Sequence, residues 1–282
     1  MRKRISFISV LTMFLAIGFV IIFSRPVKAA ANGVQLKANR TYTAYDVTGD
    51  GTKDKIRIRA ANQTDDETYT SLTVSVNGKA AYRLKNTRFY NVIANIYTLK
   101  NGQPFLYLYA PADNGDGPVC ALLKYTNGKF RKALDFTEIM AGYGNHRIGE
   151  VTNLNGNKIV ITESIVSYSL GINAINFTYK YVNGKFVPTS KYGSYKEIYS
   201  ADGSSRYFTV NSNLPAYARP GATAVNTTLK TGSLTKIIKC ALINRKMYIQ
   251  LECDGEIYWI KALENPPISD SERQFMEVRY AG

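Results

Sequence analysis

Alternation of apolar and polar residues with period two dominates the chain from about residue 41. In SLTVSVNGKAAYRL, Leu72, Val74 and Val76 alternate with polar residues up to Asn77-Gly78, and Tyr82 and Leu84 carry the pattern beyond it. Period two puts such side chains on one face of a strand, and Asn-Gly supplies the two left-handed residues of a tight hairpin turn. The arrangement recurs in KYTNGKFRK around Asn127 and KYVNGKFVP around Asn183, at spacings of 50 and 56 residues. A second series, DGTKDKIRIRA, KNGQPFLYLYA and LNGNKIVITES, has strand cores Ile56, Phe105 and Ile159 that lie 49 and 54 residues apart. Two interleaved series with matched spacing predict three units of two hairpins each, over about 41–92, 93–140 and 141–192. Tyrosine-rich strands, with Tyr107, Tyr109, Tyr125, Tyr179 and Tyr181, fit cross-strand packing better than a carbohydrate platform.

Four short strands per ~50 residues is the signature of a propeller blade, yet closed propellers have at least about four blades. The expected fold is therefore mostly β, with 32–192 forming propeller-like or stacked four-stranded repeats. After Lys191 the texture changes. Residues 193–204, polar and rich in Gly and Ser, predict a linker or a hairpin at a domain edge. Beyond it come NLPAYARPG, LKTGSL and MYIQLECDGEIYWI. This succession resembles the bacterial Src-homology-3-like family. Leu214, Tyr217, Arg219 and Pro220 approximate its opening, Leu229, Lys230 and Gly232 its middle turn, and Asp254, Gly255, Trp259 and Ile260 its ending. Tyr258 stands where the family has glycine, and Met247-Tyr248 where a second tryptophan is common. The resemblance implies a small β-barrel over 205–282 with a groove for wall ligands, for which Tyr217, Tyr248 and Trp259 are the candidates. Filling a small barrel's core is the competing role, above all for Trp259. The tail predicts a short helix from Ser269 or Asp270, with Phe275, Val278 and Tyr280 as its apolar edge.

The N-terminus bears on address. Arg2, Lys3 and Arg4 precede an apolar run from Ile5 to Phe23, then Pro26 and the small residues Ala29-Ala30-Ala31. This is the pattern of a secretory signal over 1–31; the competing reading is an uncleaved membrane anchor, since the run approaches the ~20 residues that span a bilayer. Export to the extracellular space, cell surface or cell wall is expected. Those 31 residues hold five basic side chains and no acid, so +10 of the formal +15 belongs to the remainder, most of it in 32–192. A basic exported protein is drawn to anionic surfaces such as an acidic wall polymer or peptidoglycan, lipid head groups or extracellular nucleic acid; a solvated lysine-studded face with no specific partner is the reading preferred over these. No basic block suggests a nucleic-acid arm. Three cysteines do not make a disulfide framework. A turn near Asn244-Arg245-Lys246 places Cys240 opposite Gln250, out of register for a bridge to Cys253, so Cys120, Cys240 and Cys253 are read as small apolar residues.

The most chemically pointed stretch is YDVTGDGTKD. Asp46, Thr48, Asp50, Thr52 and Asp54 occupy alternate positions around Gly51, a spacing that turns oxygens inward as Ca²⁺ requires. Arg57 stands where an EF-hand would have its glutamate. The stretch resembles the calcium loop of FG-GAP (integrin-α-like) repeats, which implies one structural Ca²⁺ site in the first unit. The corresponding turns in the other units shrink to Asn101-Gly102 and Asn155-Gly156. A solvated Asp/Gly turn is the alternative. The single histidine, His146, has no partner motif and is expected to be a loop residue without a chemical role. No catalytic constellation is visible. The function expected is a non-catalytic, exported surface or wall binding protein; the alternative is a secreted hydrolase, glycan- or wall-acting, with a site assembled from dispersed carboxylates.

Overall fold

Asn77-Gly78, Asn127-Gly128 and Asn183-Gly184 each have two consecutive positive φ angles, from 47° to 87°. This mirror-image turn matches the right-handed twist of the strands it joins. The strands it connects leave only two residues in each loop: Val76 pairs with Lys79, Thr126 with Lys129, and Val182 with Lys185. The computed structural model describes residues 33–63, 67–113 and 117–280; the signal-like segment 1–31 lies outside the described residues.

The protein is almost entirely β, in several antiparallel sheets, and the described residues contain no α-helix. Strand β1 (Val34–Leu36) comes first. Residues 41–92 hold β2 (Thr41–Tyr45), β3 (Asp54–Gln63), β4 (Tyr69–Val76) and β5 (Lys79–Phe89), paired in sequence order as one sheet. Residues 93–140 hold β6 (Ile93–Thr98), β7 (Pro104–Ala110), β8 (Val119–Thr126) and β9 (Lys129–Asp135), also in order, with β1 added beside β6 and a 3-10 turn at Phe136–Glu138. Residues 141–192 hold β10 (Gly144–Asn155), β11 (Lys158–Ser167), β12 (Gly171–Val182) and β13 (Lys185–Pro188).

Alternation along β7 sets the layering. Leu106, Leu108 and Ala110 enter one core with Ile56, Ile58, Leu72 and Val74 of the first sheet. Phe105, Tyr107 and Tyr109 enter another with Ile159, Ile161 and Phe177 of the third. The middle sheet is thus covered on both faces, which explains its run of buried residues in PFLYLYA where a one-sided strand would alternate. Burial of one such side chain stabilises by about 1.5–3 kcal/mol.

The third sheet does not stop at residue 192. It continues through β14 (Tyr192–Ile198) to β18 (Leu234–Ile243), β19 (Lys246–Cys253) and β20 (Glu256–Lys261), with β15 (Tyr207–Thr209) on β18. Residues 193–198, read from composition as linker, are therefore strand. β14 bonds to β12 on one side and β18 on the other, and this satisfies its backbone in a way that local polarity does not signal. β16 (Leu214–Ala216) and β17 (Thr227–Leu229) pair with each other, and Tyr217 bridges to Trp259 of β20.

Two further expectations change. The turn before β19 has two residues, Asn244 and Arg245 at positive φ, so Cys240 faces Ile249 and Gln250 faces Lys239. All three cysteines are free and buried. The tail forms only a 3-10 turn at Asp270–Glu272, and Ser269 makes no side-chain cap. Phe275 and Val278 are nonetheless buried, and Arg279 O accepts from Ile172 N (2.9 Å), tying the tail to β12. Gly171 permits that approach, since a Cβ there would sit 2.1 Å from Arg279 O.

Candidate functional site

The loop between β2 and β3 gathers the acidic residues of YDVTGDGTKD. Asp54, only 1% exposed, turns its carboxylate onto the turn: Oδ2 accepts from Val47 N (2.7 Å) and Thr48 N (2.9 Å), and Oδ1 from Asn77 Nδ2 (2.6 Å). Asn77 belongs to the Asn-Gly turn of the neighbouring hairpin and its Oδ1 accepts from Lys55 N (2.8 Å), so two turns are locked together. Asp46 accepts from Gly49 N (2.6 Å) and Gly51 N (2.8 Å), with both glycines at positive φ. Its carboxyl lies below the usual range: slight desolvation acts upward and is outweighed by the bonds from Gly51, Gly49 and Thr48. The Thr48 hydroxyl lies 3.2 Å from Asp46 Oδ1 and 3.3 Å from Asp54 Oδ1. Asp50 is exposed and, among the described residues, accepts only from Thr52 N (2.7 Å).

Each ionised carboxylate has about four acceptor positions. Asp54 has most of its own committed to the protein, whereas Asp50 keeps most of its own and Asp46 at least one. A cation here would find Asp46, Asp50 and the oxygens of Thr48 and Thr52 open to it, with Asp54 as an outer support. Among the described residues, no three acidic, histidine or cysteine side chains converge as a metal cage.

The three candidate groove aromatics come together, but inside. Tyr217, Tyr248 and Trp259 are buried around Ala241, and Tyr217 exchanges backbone bonds with Trp259 (2.7 and 2.9 Å). What they expose to solvent is a rim. Tyr192, 39% exposed, lies with its ring 5.9 Å from Trp259; Lys239 Nζ is 4.6 Å from the Tyr192 ring centre and 6.0 Å from that of Trp259. Lys191 and Lys261 lie over the rings of Tyr192 and Tyr217 at 5.2 and 5.1 Å. These are cation–π separations.

Register explains the assembly. Glu150, Thr162, Asn176, Ser194, Lys239, Gln250 and Trp259 are direct cross-strand partners, one from each of β10, β11, β12, β14, β18, β19 and β20. Opposite residues share a face, so one row, polar from Glu150 to Gln250 and ending on the buried Trp259, crosses the sheet on the side away from its larger core. Midway lies an open groove of about 320 Å³. It forms because β13 and β14 pair with different halves of the same edge of β12 and leave a gap between them.

Compared with protein-family models, curated proteins and solved structures, the chain matches none.

The sequence gives no sign of a second polar cluster, between the middle and third sheets. His146 lies in β10 and its Nδ1 hydrogen-bonds Glu163 Oε1; Glu163 is 1% exposed. Burial pushes the Glu163 carboxyl up to about 7, against the favourable bond and charge of His146 and with Asp135 adding to the rise. His146 Nε2 and Glu163 Oε2 are buried with no partner among the described residues. Across the interface, Gly149 O accepts from Tyr107 Oη (2.7 Å) and lies 3.5 Å from Cys120 Sγ. Burial pushes the Cys120 thiol up to about 12, so it is not a thiolate nucleophile at neutral pH.

Proposed function

We propose that the chain is an exported, non-catalytic binding protein of the cell surface or wall, with a propeller-like or stacked β-repeat region followed by a Src-homology-3-like barrel. The observation that carries this reading is the basic and aromatic rim of Tyr192, Lys191, Lys239 and Lys261 around Trp259 and Tyr217. It sits on an open sheet face beside a shallow groove, a shape suited to holding a chain. The signal pattern and the +10 charge outside 1–31 point the same way. The barrel assignment draws support from the path β17–β16–β20–β19–β18, in which an isolated bridge between Tyr217 and Trp259 links the β16–β17 pair to β20. The repeat assignment draws support from the three successive four-stranded meanders.

Calcium belongs to this reading as a clip. The β2–β3 loop takes one Ca²⁺ through Asp46, Asp50 and the Thr48 and Thr52 oxygens, while Asp54 holds the loop's shape. The loop then serves the fold, not the ligand.

Among the described residues, His146 and Glu163 form a buried hydrogen-bonded acid–base pair on which the hydrolase alternative could draw. Their unpartnered atoms are enclosed between sheets, and neither residue lines the groove. Retention of the full chain on purified cell walls tests the binding reading; turnover of wall glycan, lost in Glu163→Gln, would favour the other.

A further inference from the structure

The groove on the outer face of the third sheet has a chemical bias that its lining makes explicit. Its charged group is Lys239; the other polar contributors are amide and hydroxyl side chains, and no carboxylate takes part. Asn176 Oδ1 already accepts from Thr162 Oγ1 (2.7 Å), so Asn176 offers its amide N–H groups to the groove. Lys239 is in no ion pair among the described residues; its ammonium is held against the Tyr192 and Trp259 rings, which orient it without neutralising it. The lining therefore presents amide N–H donors, hydroxyls that both donate and accept, and one positive charge, next to the partly exposed Tyr192 ring.

We infer that this groove binds an anionic, hydroxyl-rich polymer chain, with Lys239 meeting its carboxylate or phosphate and Asn176, Ser190 and Ser194 meeting its hydroxyls. The inference rests on the surface-binding reading and gives it a site and a ligand class. Charge complementarity selects the occupant: a neutral glycan would leave the ammonium without a partner, and a cationic one would be repelled. The open shape suits a segment of a long chain. The site exists only because β12, β14 and β18 are neighbours, so it joins the third repeat unit to the barrel-like segment.

The test is titration calorimetry on residues 32–282 with three soluble probes: an oligogalacturonate, an oligo(glycerol phosphate) and a neutral cello-oligosaccharide. Binding is expected for the two anionic probes and not for the neutral one, and the stronger of the two identifies whether carboxylate or phosphate is preferred. Lys239→Gln should weaken that binding by roughly tenfold or more, as loss of a charge-assisted contact does. Lys129→Gln, at an exposed turn far along the chain, should leave it within about twofold. Equal weakening by both variants, or equal binding of all three probes, would overturn the assignment. So would absence of anionic-probe binding by a protein that is still retained on walls, an outcome that would leave the surface-binding reading standing. An unchanged melting temperature for Lys239→Gln separates lost contact from lost fold.

Discussion

His146 Nδ1 hydrogen-bonds the Glu163 carboxylate inside the interface between the middle and third sheets. Asp135, Cys120 and Tyr179 lie near enough to Glu163 for their charges to act on one another. A carboxyl with a raised folded-state pKa holds its proton more tightly folded than unfolded. Its contribution to stability is therefore complete below its ordinary value of 4.5 and is lost as pH rises toward 7. Measured by urea unfolding, the stability of the wild type relative to Glu163→Gln should fall between pH 4.5 and 7.5. At ~1.4 kcal/mol per pKa unit the fall is bounded at about 3.5 kcal/mol. A difference independent of pH would show that Glu163 does not titrate in this window.

At Gly149 those sheets approach closely. A Cβ at this position would meet Phe136 Cδ1 at 2.0 Å and Glu163 Oε2 at 2.6 Å. Gly149→Ala should therefore destabilise by about 1–3 kcal/mol or more, because an overfilled interface must shift backbone or rotamers. Gly78→Ala offers a contrast: nothing lies within 4 Å there, and its cost should come from the positive φ of 79° alone. Thermal unfolding of the two variants separates packing from backbone strain.

Much of this architecture is legible in the residues. Asn-Gly pairs at 77, 127 and 183 fix three hairpin turns, and period two along β4 says which side chains face in. The functional surfaces are harder, for a definite reason: each depends on partners brought together by pairing that has no local signal. From the turn at Asn155-Gly156, unshifted pairing would put His146 opposite Ser167. Bulges between His146 and Ile148 and between Val151 and Asn153 move it opposite Ile165, diagonal to Glu163. The groove likewise needs Asn176, Ser194 and Lys239 side by side, and a polar stretch around 193–204 looks like a boundary until β14 is seen bonded on both edges. The Asp46–Asp54 spacing is legible, but the inward turn of Asp54 is not, because its donors include Asn77 from another hairpin.

That last contact leads to separable effects in the β2–β3 loop. Asp54→Ala removes the acceptor of three donors and should cost about 2–4 kcal/mol with or without calcium. Asp50→Ala should leave calcium-free stability within about 0.5 kcal/mol, as exposed substitutions do, and abolish calcium binding. Millimolar Ca²⁺ should raise the melting temperature of the wild type and not of Asp50→Ala, since only folded-state binding stabilises. A flat calcium titration of the wild type would make the loop a hydrogen-bonded turn and nothing more.

The central claim is attachment to an anionic surface through the basic, aromatic face of the third sheet. Because β14 joins residues 141–192 to 234–261 in one sheet, cutting the chain near 192 would break the structure under test. The direct measurement is retention of intact 32–282 on purified walls across a salt series, before and after chemical removal of the anionic polymers. Retention should be high near 0.1 M salt and fall toward 1 M, as the Debye length shrinks from ~10 to ~3 Å, and stripping the walls should abolish it. No retention at the lowest salt, or retention indifferent to both salt and stripping, would contradict the account.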